Sequence, residues 1–280
     1  MNHKTCIVIS GPTAVGKTDH AIEIAKKYNT QIISADSRQC YKELNIGVAK
    51  PSLEQLKSVQ HYFINSHSIH DDVNVKVFEQ YALDAINKIF ETNDVAVMVG
   101  GTGLYIKAFS DGIDDVPLVN ENIRDKITKA YNKKGIEWLQ IEIKNTDPLY
   151  FASGEMQNPQ RMMRALEVKL STGNSIVYFQ SGKKIARDFE IKKINLEIPR
   201  DELYERINKR VDIMMNAGLL REAERLFSYR HLNALQTVGY KELFDFMEGK
   251  ISLDKAIDDI KKNTRHFAKR QITWFKKFND

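Results

Sequence analysis

Apolar residues recur along this chain in two rhythms. Short unbroken runs at residues 6–10, 31–35 and 94–99 are rich in β-branched residues and too short for helices, so they predict buried strands. Residues 19–28 and 75–90 instead carry apolar positions at helical spacing. Strand, helix, strand in this order implies parallel neighbours joined by right-handed crossovers. The pattern therefore predicts an α/β fold, a parallel sheet flanked by helices. Residues 61–64 fit a further short strand, and residues 191–198 a strand returning to the sheet, ended by Pro199.

From about Asp111 the pattern changes. Residues 114–122 read as a polar linker, 123–133 and 136–145 as helices, and Pro159 suits the first turn of another helix. Residues 172–188 are basic and poorly periodic, which predicts a loop. Helices follow over 201–217, 219–229, from about 240 to 247, and 253–278. The chain thus divides into a first core segment (1–112), an inserted helical domain (113–188) and a segment completing the core (189–280).

Composition narrows the class only slightly. The 280 residues are 42% apolar and 28% charged, ordinary for a globular protein, and the net charge of +5 permits a polyanionic partner without demanding one. Two cysteines, Cys6 and Cys40, in a chain without a secretory signal are expected as reduced thiols. No apolar run approaches a membrane span, so the cytoplasm is the expected compartment.

The first strand runs into Gly11, Pro12, Thr13, Ala14, Val15, Gly16, Lys17 and Thr18, which fits G-x-x-x-x-G-K-[ST] and opens onto a helix. The glycines let the backbone turn its N–H groups inward, and the helix dipole adds partial positive charge. Lys17 supplies a full charge, and the Thr18 hydroxyl can ligate a magnesium ion carried by bound phosphates. The expected ligand is a di- or triphosphate.

Asp36 follows the second strand. Residues just past the C-terminal strand ends face the ligand crevice, so Asp36 is expected to share a cleft with Lys17. A turn or cap role is the alternative. The third strand ends in Gly100-Gly101-Thr102-Gly103, without the acidic magnesium partner that motor ATPases and GTPases place there. Either the glycines admit close backbone approach with Thr102 aimed at the crevice, or they begin a helix. Arg161 and Arg164 share a helical face, which suits a partner's phosphates or a solvated surface with an Arg164–Glu167 pair. The last helix interleaves basic residues with His266, Phe267, Trp274 and Phe275, a mixture that suits RNA or an amphipathic terminal helix.

Taken together, GPTAVGKT, Asp36-Ser37-Arg38-Gln39-Cys40-Tyr41, Asn45-Ile46-Gly47-Val48-Ala49-Lys50-Pro51, GGTGLY, QRMMRALEV, QTVGYKE and KRQITWFKKF resemble the tRNA dimethylallyltransferases (tRNA isopentenyltransferases) of bacterial type. The resemblance runs through almost the whole chain in order. It implies transfer of a prenyl group from dimethylallyl diphosphate to N6 of the adenosine 3′ of the anticodon, in tRNAs reading codons that begin with U. It implies Asp36 as general base, Thr102 lining the channel where adenine meets donor, and Lys17 with magnesium on the diphosphate. The implied RNA contacts are Asp36, Ser37, Arg38, Gln39, Thr102, Arg124, Gln160, Arg161, Met162, Met163, Arg164, Gln236, Lys241, Lys269, Arg270, Trp274 and Lys276, with the inserted domain gripping the anticodon stem-loop of a tRNA bound by a monomer. His61-Tyr62-Phe63-Ile64-Asn65 stands where the family has His-His-Leu-Ile-Asp, and Asn158-Pro159-Gln160 departs from His-Pro-Asn-Asp. A small-molecule P-loop kinase with Asp36 as base accounts for the loop and the acid equally well, but leaves the basic-aromatic helix unexplained. An RNA-binding protein with a vestigial phosphate site is the non-enzymatic alternative.

Overall fold

The structure is a computed structural model that describes residues 4–279. Its elements in chain order are β1 (Thr5–Ser10), α1 (Lys17–Lys27), β2 (Ile32–Ser34), α2 (Leu53–Ser58), β3 (His61–Tyr62), α3 (Val75–Thr92), β4 (Val95–Val99) and α4 (Gly103–Asp111). Next come α5 (Glu121–Thr146), α6 (Pro148–Ser153), α7 (Pro159–Thr172), β5 (Glu190–Asn195), α8 (Arg200–Asn216), α9 (Leu219–Leu226), α10 (Tyr240–Met247) and α11 (Leu253–Asn279).

The five strands form one parallel sheet in the order β3-β2-β4-β1-β5. β1 is buried along its whole length, which is why it reads as an unbroken apolar run. Its register pairs Ile9 with Val99 on one side and Ile194 on the other, while Ser34 of β2 pairs with Val99. The C-terminal ends of β2, β4 and β1 therefore lie in a row, and the loops leaving them meet. β5 forms the far edge and keeps Lys192 and Lys193 exposed, as an edge strand must to resist further pairing.

Apolar residues cover both faces of the sheet. One face packs Ile7, Ile9 and Val97 against Ala21, Ile22 and Ala25 of α1. The other builds the larger core, in which Phe63, Phe78, Phe109, Tyr41 and Tyr240 are almost wholly buried.

The chain separates into two compact units, one formed by residues through Gly112 with those from Ile185 onward, the other by Ile113–Lys184. The first unit resumes at Ile185, just before the expected boundary at 188. Arg187 explains the difference: it pairs with Glu79 at 2.7 Å and donates to the Phe109 and Ala108 carbonyls, with both charged side chains largely buried. In the second unit, α5 breaks at Gly135 (φ 77°), between the two expected helices, and packs Leu139 and Ile143 against Met162 and Leu166 of α7. α7 starts on Asn158, whose side chain accepts the Arg161 N–H, and stops at the left-handed Gly173. Part of the expected loop is a short 3-10 turn, Ile176–Phe179. Among the described residues no helix is long and apolar enough to cross a membrane, and both cysteines are free and buried.

Candidate active site

A cleft of about 280 Å³ opens at the C-terminal ends of β1, β2 and β4, lined by the phosphate loop, Asp36, Gly100 and Gly101. α1 begins at Gly16, which holds φ 102° and supplies no side-chain cap. The first amides of the helix are thus left for a ligand, the arrangement that attracts anions. Ala14 also adopts a positive φ of 68°, which turns successive peptide groups inward.

Lys17 donates to the Pro12 carbonyl at 2.6 Å, folding its ammonium over the loop. Burial depresses its pKa to about 7; the Asp36 charge pulls it upward and Arg210 pushes it further down. Arg210, from α8, donates to Thr13 Oγ1 at 3.3 Å and lines the same cleft. Burial lowers its pKa as well. The site therefore places two buried basic side chains beside the loop, where burial disfavours the charged form of each.

Asp36 combines the two roles weighed for it. Its Oδ1 accepts the Arg38 and Gln39 N–H groups at 2.9 and 3.2 Å, closing the turn after β2, while the residue faces the cleft. Thr102 both begins α4 and ties loops together: its Oγ1 accepts the Ser37 N–H at 3.1 Å. Gln39 is held by the Val48 and Ala49 carbonyls, so the loop of residues 45–51 forms another wall. That loop is anchored by Glu222, a buried carboxylate accepting the Ile46 and Gly47 N–H groups and the Tyr240 hydroxyl. Lys50 points from it to Asn65, one of the residues that depart from the family pattern, and burial lowers the lysine's pKa to about 8.

The expected RNA residues fall into three groups. Lys241, Lys269, Arg270, Lys276, Gln236 and Gln160 are exposed. Arg38, Arg124, Arg161 and Arg164 already hold protein partners: Arg38 the Asn233 carbonyl, Arg161 Glu155, and Arg124 and Arg164 the buried Glu167. The Arg164–Glu167 pair is thus formed, though both flanking arginines keep part of their surface in solvent. Met162 and Met163 are buried in the core of the second unit, where a flexible thioether fills space; we leave them out of the RNA surface. Trp274 also packs inward, its partly buried indole beside Gly103, and Phe267 is the aromatic of α11 that lines the cleft.

Two residues of the site carry no individual signal in the sequence. Arg210 sits in a helix crowded with charges, where one more arginine does not stand out. Gln271 lies inside the basic run of the last helix and is distinguished from it only by facing inward.

For magnesium, Thr18 and Asp36 offer hard oxygen donors in the cleft. No cluster of three or more acidic, histidine or cysteine ligands exists among the described residues. This donor set fits an ion that takes most of its ligands from substrate phosphates and water.

A parallel sheet whose strand β1 runs into a glycine-rich loop and helix, beside a cleft lined by Lys17, Arg210 and Asp36, defines an α/β fold of the P-loop type. The family model described as IPP transferase matches residues 39–278. Over 271 residues the chain is 48% identical to the tRNA dimethylallyltransferase of Christiangramia forsetii, covering 97% of this chain and 90% of that one. It is 43% identical over 273 residues to tRNA dimethylallyltransferase 1 of Bacteroides thetaiotaomicron, with coverage of 98% and 89%. Among solved structures, the full-length tRNA isopentenylpyrophosphate transferase of Bacillus halodurans aligns at 35% identity with a TM-score of 0.70, covering 98% of this chain and 87% of that one. A eukaryotic dimethylallyltransferase captured acting on tRNA aligns at 27% identity with a TM-score of 0.78, covering 97% and 69%. The chain belongs to the IPP transferase family.

Proposed function

We propose that this protein transfers the dimethylallyl group of dimethylallyl diphosphate to N6 of the adenosine 3′-adjacent to the anticodon, in tRNAs reading codons that begin with U. The observation that carries this reading is the pairing, in one cleft, of a cationic diphosphate cradle with the Asp36 carboxylate. In a family whose named relatives are tRNA dimethylallyltransferases, that pairing has a direct use.

The exocyclic amine of adenine is a weak nucleophile because its lone pair is delocalised into the ring. In the reaction the C1–O bond of the allylic diphosphate breaks, the N6–C1 bond forms, and N6 loses a proton. Asp36 accepts that proton through Oδ2, since Oδ1 is engaged by the turn. The departing pyrophosphate carries the electron pair away and is stabilised by Lys17, Arg210 and the amides of Ala14 to Thr18. The Thr13 amide is occupied by Gln271 and has a different task. Thr18 would hold a magnesium ion shared with the bound phosphates, which would further neutralise charge on the leaving group.

The RNA contacts follow from charge and exposure. Lys269, Arg270 and Lys276 on α11, with Gln236 and Lys241, suit the phosphates flanking an extruded base, and Phe267 at the cleft offers a stacking face. In the second unit, Gln160, Arg161, Arg164 and Arg124 are the candidates for the anticodon stem-loop.

Incubation with magnesium, unmodified tRNA and labelled dimethylallyl diphosphate tests the reading. Label is expected in tRNA. Consumption of ATP with phosphorylation of a small molecule, and no label in RNA, would replace it with the kinase reading.

A further inference from the structure

A buried primary amide must find partners for both its oxygen and its NH2 group. Gln271 of α11, only 6% exposed, finds them on two different loops. Its Oε1 accepts the Thr13 N–H at 2.8 Å, and its Nε2 donates to the Gly101 carbonyl at 2.9 Å. The first partner belongs to the phosphate loop, the second to the loop leaving β4 that carries Thr102. The fit is close. A Cβ built on Gly101 would fall 2.3 Å from Gln271 Nε2, and one on Gly103 would fall 2.1 Å from Trp274 Nε1. Gln271 and Trp274 are three residues apart and share a helical face, so that face is seated on Gly101 of the loop after β4 and on Gly103, the first residue of α4. Thr13 is gripped a second time, through its hydroxyl, by Arg210.

We propose that Gln271 is a positioning residue: it fixes the Thr13 peptide, and hence the direction of the phosphate-loop amides that follow, in register with the Thr102 loop. The inference rests on the diphosphate reading of this cleft. Peptide orientation is passed along a chain through planar amide groups, so a Thr13 N–H released from Gln271 lets the Thr13 peptide plane rotate and the next amides lose their common aim. The effect is specific to diphosphate. RNA affinity, set by exposed cations elsewhere on α11, is untouched.

The test uses Gln271→Met, which keeps the volume and removes both hydrogen bonds, and Gln271→Glu, which keeps an acceptor for Thr13, loses the donor for Gly101 and adds negative charge at the loop. Inorganic pyrophosphate binding is followed by calorimetry, tRNA binding by filter retention, and transfer by labelled donor. For Gln271→Met, pyrophosphate affinity is expected to fall about tenfold as the loop amides lose their common aim. KM for dimethylallyl diphosphate should rise in step and tRNA affinity stay within experimental scatter, while the melting temperature falls modestly because the Thr13 N–H and the Gly101 carbonyl lose their partner. Gln271→Glu should weaken pyrophosphate binding further. A cycle with Gly101→Ala adds a second readout: the clash of its Cβ with Gln271 is relieved when Gln271 is Ala, so Gly101→Ala should cost less in that background. If wild-type protein transfers label and Gln271→Met binds pyrophosphate equally well, the positioning role is overturned and the function stands. If wild-type protein binds no pyrophosphate and transfers no label, both fall.

Discussion

Asp36 and Lys17 share one cleft, and the carboxylate is the group that offsets, in part, the burial that drives the lysine's pKa down to about 7. Above that pH the empty site holds a largely neutral amine. A bound diphosphate adds opposite charge at the same point and draws the proton back. At pH 8.5, where an allylic diphosphate is fully ionised, its binding is expected to take up about one proton per site. Calorimetry in two buffers of different ionisation heat measures this directly. Lys17→Met should abolish the uptake.

The same lysine costs stability in the empty protein. In the unfolded chain it stays protonated up to its ordinary value of 10.5, while in the fold it releases its proton near 7. Between those values the unfolded state binds more protons, so this contribution makes stability rise with pH from about 7 to 10.5; below about 7 the penalty is complete. Lys17→Met is therefore expected to raise the melting temperature at pH 7, with the gain shrinking as pH approaches 10. A gain independent of pH would show that packing, not the charge, is responsible.

Asp36→Asn separates the turn from the chemistry. The amide oxygen can still accept the Arg38 and Gln39 N–H groups, so the loop after β2 should keep its shape. What disappears is the proton acceptor. Transfer is expected to fall by roughly 100-fold or more, the usual contribution of a positioned general base. Binding of tRNA and pyrophosphate should persist. Loss of the carboxylate should also lower the Lys17 pKa further, moving the proton-uptake profile to lower pH. Near-normal turnover in this variant would remove Asp36 from the base role.

Gly103→Ala probes how tightly α11 seats on the loop after β4. The new Cβ would lie 2.1 Å from Trp274 Nε1 and 2.2 Å from its Cδ1, and a bulky indole already packed against the core has little room to yield. A loss of about 1–3 kcal/mol is expected, as for other overpacking substitutions, measurable by urea denaturation. Gly103→Ala combined with Trp274→Phe should recover much of it.

How far the sequence could be read depended on whether a residue's role is local. The phosphate loop was legible because strand, glycine spacing and helix start are all short-range, and the same holds for the two helices on either side of Gly135 and the helix start at Pro159. Asp36 was legible through topology, since a parallel sheet puts all its C-terminal strand ends on one edge; β1 and β2 are not the direct neighbours that strand-helix-strand order implies, because β4 inserts between them, yet both ends still border the same cleft. Partnerships over long separations were not. Gln271 reaches back 258 positions to Thr13, Arg210 reaches back 197, and Glu222 anchors Gly47 from 175 positions away. Each is a polar residue on a helix with many others, and only folding reveals which face is turned inward. Met162 and Trp274 show the converse: the resemblance implies RNA contacts for both, whereas Met162 is buried in a packed core and Trp274 is partly buried against Gly103.

The exposed face of α11 yields a prediction that does not depend on the chemistry of the cleft. Lys269 and Arg270 lie in solvent, with the Arg270 guanidinium 5.8 Å from the Phe267 ring, so neither is committed to a carboxylate in the contacts described. If both sit on phosphates of a single-stranded loop, each releases condensed counterions on binding. Replacing both with Gln should then reduce the magnitude of the slope of log K against log salt by about 1.4, from roughly 0.7 per phosphate contact. Affinity should drop most at low salt and converge with wild type as salt rises. Pyrophosphate binding should be unaffected, which distinguishes a lost RNA contact from a displaced helix, since displacement would also disturb Gln271 and the phosphate loop. An unchanged salt slope with normal pyrophosphate binding would assign this face of the helix to solvent.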